Sequence, residues 1–243
     1  MRALVGPSGL SPSSKDAAVF RGHLREASDA GIGVLVLSWW GPSWRPHAFD
    51  GQGVRTDAAL EPLFEAAAAE LPATGVRLAI HLEPYPGRSA TTVREDVAYL
   101  LGRVGTSPAL FREEAGRPVF YVYDSYHVPN AEWKEVLGRP GGWAGAAADA
   151  RAAEAGAAVP EGSLPRRALL SGGGTPPEPF ERPFMLALWL APGDGPGILE
   201  AGFDGFYTYF ASEAVSYGAG GSSLSLLRPP LLLARTAALT PKP

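Results

Sequence analysis

His81, Glu83 and Tyr85 alternate within HLEPYPGR, residues 81 to 88, directly after the apolar run VRLAI. Side chains on every second residue share one side of an extended chain, and Pro84 and Pro86 between them stiffen its exit. An imidazole, a carboxylate and a phenol together donate and accept hydrogen bonds at fixed points. Three uses fit that set. One is a polar ligand with many hydroxyls. A second is a metal ion, with Asp124 and His127 joining His81 and Glu83, although HLE lacks the helical i, i+4 pair of a zinc peptidase. The third is a rim closed by hydrogen bonds with no ligand at all.

The same residue types recur farther along the chain. LSWW brings Ser38, Trp39 and Trp40; YDSYH brings Tyr123, Asp124, Tyr126 and His127; LWL brings Trp189; and FYTYF brings Tyr207, Tyr209 and Phe210. Aromatic rings with carboxylates among them suit a sugar. The apolar face of a pyranose stacks on Trp or Tyr while its hydroxyls need partners in set places. Cleaving a glycosidic bond asks in addition for two carboxyl groups flanking that bond. Trp133 and Trp143 read as structural, and His23 and His47 as surface residues.

The elements that must position these residues alternate in type. A helical pattern opens at Ser13-Ser14-Lys15-Asp16, carries Val19, Phe20, Leu24 and Ala27 on one side, and stops at Ala30-Gly31. The run GIGVLVLSWW then reads as a buried strand from Ile32 to Ser38, broken by Gly41-Pro42. Residues 57 to 70 are helical, VRLAIHLEPY is a strand, and residues 91 to 104 are helical with Thr91 or Thr92 as N-cap and Glu95 near the third position. PVFYVYDSY is a strand, 131 to 137 a short helix, FMLALWL a strand, GPGILEAG a helical turn and GFDGFYTYF a strand. Strands alternating with helices predict βαβ units and a parallel sheet of five strands, and in such folds ligands lie at the carboxyl ends of the strands.

Two stretches break the rhythm. Residues 138 to 181 are rich in Gly, Ala and Pro and read as an insertion, with a helix at 144 to 157. Residues 219 to 243 form a Pro-rich tail with no assignable strand. The expected organisation is therefore a domain over 1 to 218 interrupted by that insertion, followed by the divergent tail.

Composition excludes several classes. A net charge of −4 gives no basic footprint for nucleic acid. No run of about eighteen apolar residues predicts a membrane span, and MRALVGPSGLSPSSK does not read as a signal peptide. Cysteine is absent, which excludes disulfides and thiolate metal sites. Neither a metal nor another cofactor is expected.

The blocks GIGVLVLSWWGP, HLEPYPGR, FYVYDSYHVPNAEW and AGFDGFYTYFAS resemble the endo-α-1,2-mannosidases of glycoside hydrolase family 99, over residues 10 to 137 and 183 to 218. The resemblance implies a (β/α)8 barrel of the TIM type. It implies internal, retaining cleavage of a glucosylated high-mannose N-glycan or a related α-mannan, and residence in the Golgi lumen as in animals. Carried over block by block, Trp40 sits by the −2 sugar. Glu83 and Tyr85 belong to the substrate-binding block, and Tyr123, Asp124, Tyr126 and Tyr207 line the cleft; His81 joins the substrate-binding candidates by its place at the strand end.

The sequence also departs from that family. Its catalytic glutamates lie in an N-E-W-H-E-G block, absent from these 243 residues. Its first strand, with a Tyr-Trp-Tyr-Gly block, has no counterpart, and Pro86 stands where Lys usually follows E-P-Y. The expectation is an incomplete barrel of about five βα units, truncated at both ends and inactive alone, with Glu83 and Asp124 as weak candidates for catalytic carboxyls. The alternative is a mannose-binding relative without catalysis. Five strands cannot close a barrel of normal shear, and both sheet edges would stay open.

Overall fold

The computed structural model describes residues 16–45, 48–49, 53, 55–138, 143, 182–191 and 193–208. The helix 144–157, the tail 219–243, His47, Tyr209 and Phe210 lie outside the described residues. So does the insertion, apart from Gly138 and Trp143.

Helix α1 covers Ala17–Asp29. Asp16 caps it, its carboxylate accepting the Ala18 N–H at 2.9 Å, and Phe20, Leu24 and Ala27 face the core. Gly31 turns the chain at φ 75°, a conformation that costs glycine little. The Ile32 N–H then returns to the Ala27 carbonyl at 2.8 Å. Ile32 thus finishes the helix exit, and strand β1 runs Val34–Trp39 rather than starting at residue 32.

The alternation continues as expected. A 3-10 turn, Thr56–Ala59, leads into α2, Leu60–Thr74, which Gly75 closes at φ 67°. Strand β2 is Arg77–Leu82 and α3 is Ala90–Val104. The cap of α3 is Ser89, not Thr91 or Thr92. Ser89 accepts from the Thr92 backbone while the Thr92 hydroxyl takes the Ser89 N–H, so a threonine fills the place expected for a glutamate in that reciprocal pair. Strand β3 is Val119–Val122, followed by a 3-10 turn Ser125–His127 and α4, Asn130–Leu137. Strand β4 is Phe184–Leu188, α5 is Asp194–Glu200 and β5 is Gly205–Tyr207.

The five strands pair in parallel in the order β1-β2-β3-β4-β5. Ser38 pairs with His81, His81 with Tyr121, Tyr121 with Leu186 and Leu186 with Gly205. One face of the sheet, carrying Trp39, Leu78, Ile80, Leu82, Phe120, Val122, Met185 and Ala187, packs with the helices into one core. The alternate residues face the other way, where Val36 stays 44% exposed. On a flat sheet β2 and β5 would stand roughly 14 Å apart, three strand spacings. Yet His81 Nε2 meets the Tyr207 oxygen at 2.7 Å. The sheet is therefore strongly curved, concave on the side of His81. Among the described residues no helix is long and apolar enough to cross a membrane.

A buried carboxylate ties this frame together. Asp57, only 2% exposed, accepts from Trp39 Nε1, the Ser43 amide and hydroxyl, the Tyr99 hydroxyl and Arg103 Nη1, all at 2.8–3.0 Å. It joins the end of β1, the entry to α2 and the face of α3. Asp57→Ala would leave these donors buried without an acceptor, so we expect a loss of about 3–5 kcal/mol. Urea unfolding of the variant checks this; a midpoint within error of wild type would show that the network is dispensable.

Candidate functional site at the strand ends

His81, the penultimate residue of β2, is buried, and its Nδ1 lies 2.7 Å from Glu83 Oε1. Glu83 is the first residue past the strand, yet its N–H still reaches the Trp39 carbonyl at 3.0 Å. That extra rung holds it in extended register, so His81 and Glu83 share a side. The Tyr123 ring sits 5.2 Å from the His81 ring, and the Tyr207 ring meets it edge-on at 5.6 Å. Tyr121 packs edge-on against Tyr207 at 5.1 Å. Side chains from β2, β3 and β5 thus gather on the concave face. Burial first, and then the charge of Glu83, push the Tyr207 phenol well above its ordinary value. Tyr207 remains a neutral hydroxyl at any physiological pH.

Asp124 takes the left-handed conformation, φ 49°, alone among non-glycine residues described. Arg88 holds that corner, donating to the Tyr123 and Asp124 carbonyls at 2.6 Å each. Burial pulls the Arg88 guanidinium below its ordinary value, opposed by Tyr85, Asp124 and Glu83. The Asp124 side chain accepts from the Tyr126 hydroxyl at 2.8 Å. Tyr126 itself is 48% exposed. Arg88, Asp124 and His127 line a cleft of about 360 Å³ together with Pro84, Tyr85 and Pro86.

Tyr85 departs from the expected arrangement. Pro84 turns the chain after β2, and Tyr85 no longer shares the side of His81 and Glu83. Its hydroxyl donates to Asp96 Oδ2 at 2.5 Å and lies 2.9 Å from Thr92 Oγ1. The Arg45 guanidinium covers its ring at 4.5 Å and pairs with Asp96 at 2.9 Å. What Tyr85 presents to the cleft is therefore an aromatic wall, its hydroxyl already engaged. Trp189 also departs: it is buried, donates Nε1 to the Ala191 carbonyl and packs on Phe206, away from the strand-end cluster. Trp40 is half-buried one residue past β1, its N–H on Thr56 Oγ1. Trp133 and Trp143 are buried and His23 is exposed, as their sequence context indicates. His81, Glu83, Asp124 and His127 do not form one donor set. Among the described residues no group of three or more acidic or histidine side chains is placed to hold a metal.

Arg88, Arg45 and Asp96 are the participants that pattern reading passes over. Arg88 closes the HLEPYPGR block, but nothing local says that it reaches across to β3. Asp96 lies on a helix where an acidic residue usually faces water.

A curved parallel sheet with a polar and aromatic cluster at the carboxyl ends of its strands is the layout of barrel-type β/α enzymes. Residues 4–150 match the family model described as Glycosyl hydrolase family 99, and the chain belongs to that family. It is 31% identical over 210 residues to the glycoprotein endo-alpha-1,2-mannosidase-like protein of Homo sapiens, and 29% identical over 220 residues to the glycoprotein endo-alpha-1,2-mannosidase of Rattus norvegicus. These alignments take in 85% and 89% of this chain but 37% and 39% of those proteins, so the chain spans about two fifths of their length.

Among solved structures it is similar to the endo-alpha-mannosidase of Bacteroides thetaiotaomicron. The TM-score is 0.55 at 28% identity, covering 83% of this chain and 46% of that one. A complex of the Bacteroides enzyme with bis-tris propane gives a TM-score of 0.60, covering 86% and 51%. The fold is thus the family's TIM-type (β/α)8 barrel, incomplete, with five parallel strands described.

Burial, opposed by Arg45 and Tyr85, raises the Asp96 carboxyl from 3.8 to about 6. A raised folded-state value contributes stability in full below about pH 4, and that contribution is lost as pH climbs through about 6. The loss is on the order of 2–3 kcal/mol. Asp96→Asn should flatten this part of the stability profile, read as urea midpoints from pH 4 to 7. Parallel profiles for variant and wild type would remove Asp96 as the source.

Proposed function

We propose that this chain forms the glycan-binding part of an endo-α-mannosidase cleft. The substrates in view are glucosylated high-mannose N-glycans and related α-mannans, cut internally with retention by the complete enzyme in the Golgi lumen. The observation that carries this reading is the convergence of His81, Glu83, Tyr123 and Tyr207 on the concave face, beside Arg88 and Asp124, in a chain of this family. Aromatic walls at Trp40, Tyr85, Tyr123 and Tyr207 supply faces for pyranose rings, and Glu83 and Asp124 supply acceptors for hydroxyls.

Hydrolysis is a separate matter. These 243 residues contain no N-E-W-H-E-G block, and the strand-end carboxylates that are present already have partners. Glu83 is paired with His81, and Asp124 is held by Tyr126. We infer that this chain binds mannan without cleaving it, which also makes a non-catalytic binding relative the second reading.

Two measurements test this. Incubated with glucosylated mannan, the purified chain should release no disaccharide, as followed by chromatography; release at an enzymatic rate would refute the inference. In calorimetry, Trp40→Ala should weaken mannan affinity by about 1–3 kcal/mol, the usual worth of one aromatic anchor. Equal affinity in the two proteins would take Trp40 out of the cleft.

A further inference from the structure

Both ring nitrogens of His81 are engaged, and their partners differ in kind. Nδ1 faces a carboxylate, Glu83 Oε1, at 2.7 Å, and Nε2 faces a phenol, Tyr207, also at 2.7 Å. An ionised carboxylate can only accept, so the proton of the neutral imidazole sits on Nδ1. Nε2 then carries a lone pair, and Tyr207 must give its hydrogen inward. Away from the ring, the Tyr207 oxygen is left with lone pairs alone. The raised phenol value described above keeps that hydrogen in place.

The geometry points to Glu83–His81–Tyr207 as a specificity device: Glu83 and His81 are positioning residues that make Tyr207 an acceptor-only contact for one ligand hydroxyl. This rests on the glycan reading above. The charged or titratable groups around the ring are Glu83 and Arg88 from the loop after β2, Tyr123 and Asp124 from the segment after β3, and Tyr207 from β5.

Fluorine tests this contact because it cannot donate a hydrogen bond. The experiment uses the full chain, ¹⁵N-labelled at histidine, with His81 assigned by its loss in His81→Gln. It is titrated with methyl α-mannoside and with analogues carrying fluorine in place of one hydroxyl at a time. With His81 neutral, Nδ1 should be protonated and Nε2 bare. One fluoro analogue should then bind about tenfold more weakly than its parent, the worth of one unmatched polar group. That penalty should vanish in Tyr207→Phe. In Glu83→Leu the proton should move to Nε2 and the penalty should again be lost.

A neutral ring protonated at Nε2 in wild type would overturn the inference. So would a fluorine penalty unchanged in Tyr207→Phe. If Nδ1 carries the proton and no mannoside binds at any pH, the glycan reading is what fails, while the tautomer assignment stands.

Discussion

The contact between His81 on β2 and Tyr207 on β5 depends on the bending of one sheet. Strand spacing alone would keep these side chains well apart. They meet because each of the four parallel pairings adds a rotation of the same hand, and because the described helices pack on the outer face. Everything at the strand ends follows from that curvature. It brings Tyr123 and Tyr207 around the His81 ring and makes the carboxyl ends of separate strands into one concave surface. Parallel register matters equally, since a slip of one residue would turn His81 and Glu83 toward the helices.

Buried charge holds the loops that leave this sheet. Asp57 gathers donors from β1, from the segment after it and from α3. Arg45 and Asp96 tie the loop after β1 to the turn that carries Tyr85. Arg88 bonds two successive carbonyls where β3 ends, and so supports the left-handed turn at Asp124. Groups of this kind are costly to bury unless paired. Each pairing here joins segments far apart in the chain, which gives the strand-end loops a defined place relative to one another. On the proposed reading, that rigidity is what pre-orders a cleft for a ligand with many weak polar contacts.

Family membership and the observed curvature bear on different levels of the function. Membership in Glycosyl hydrolase family 99 comes from the match over residues 4–150, and the fold comes from similarity to the Bacteroides endo-alpha-mannosidase. Both cover part of the longer relatives. The arrangement of His81, Glu83 and Tyr207 belongs to this chain's own geometry, and on the proposed reading it gives the cleft a polarity that residue identity alone does not define.

The order of strands and helices was readable from the sequence, because apolar periodicity and Gly or Pro breaks are local signals. So was the shared side of His81 and Glu83, since alternation along an extended chain places them together. Tyr85 leaves the side of His81 and Glu83 because Pro84 ends that alternation, while Trp189 continues the alternation of Met185 and Ala187 onto the core face. Arg88 and Asp96 carry no local signal of their roles, because their partners lie on other elements. By itself, the sequence determined which segments are strands, which residue types stand at their ends and, through its ordered blocks, the family. Only the tertiary structure decided that β2 and β5 curve close enough for His81 to touch Tyr207, because curvature is a sum over all the pairings and is encoded in no single stretch.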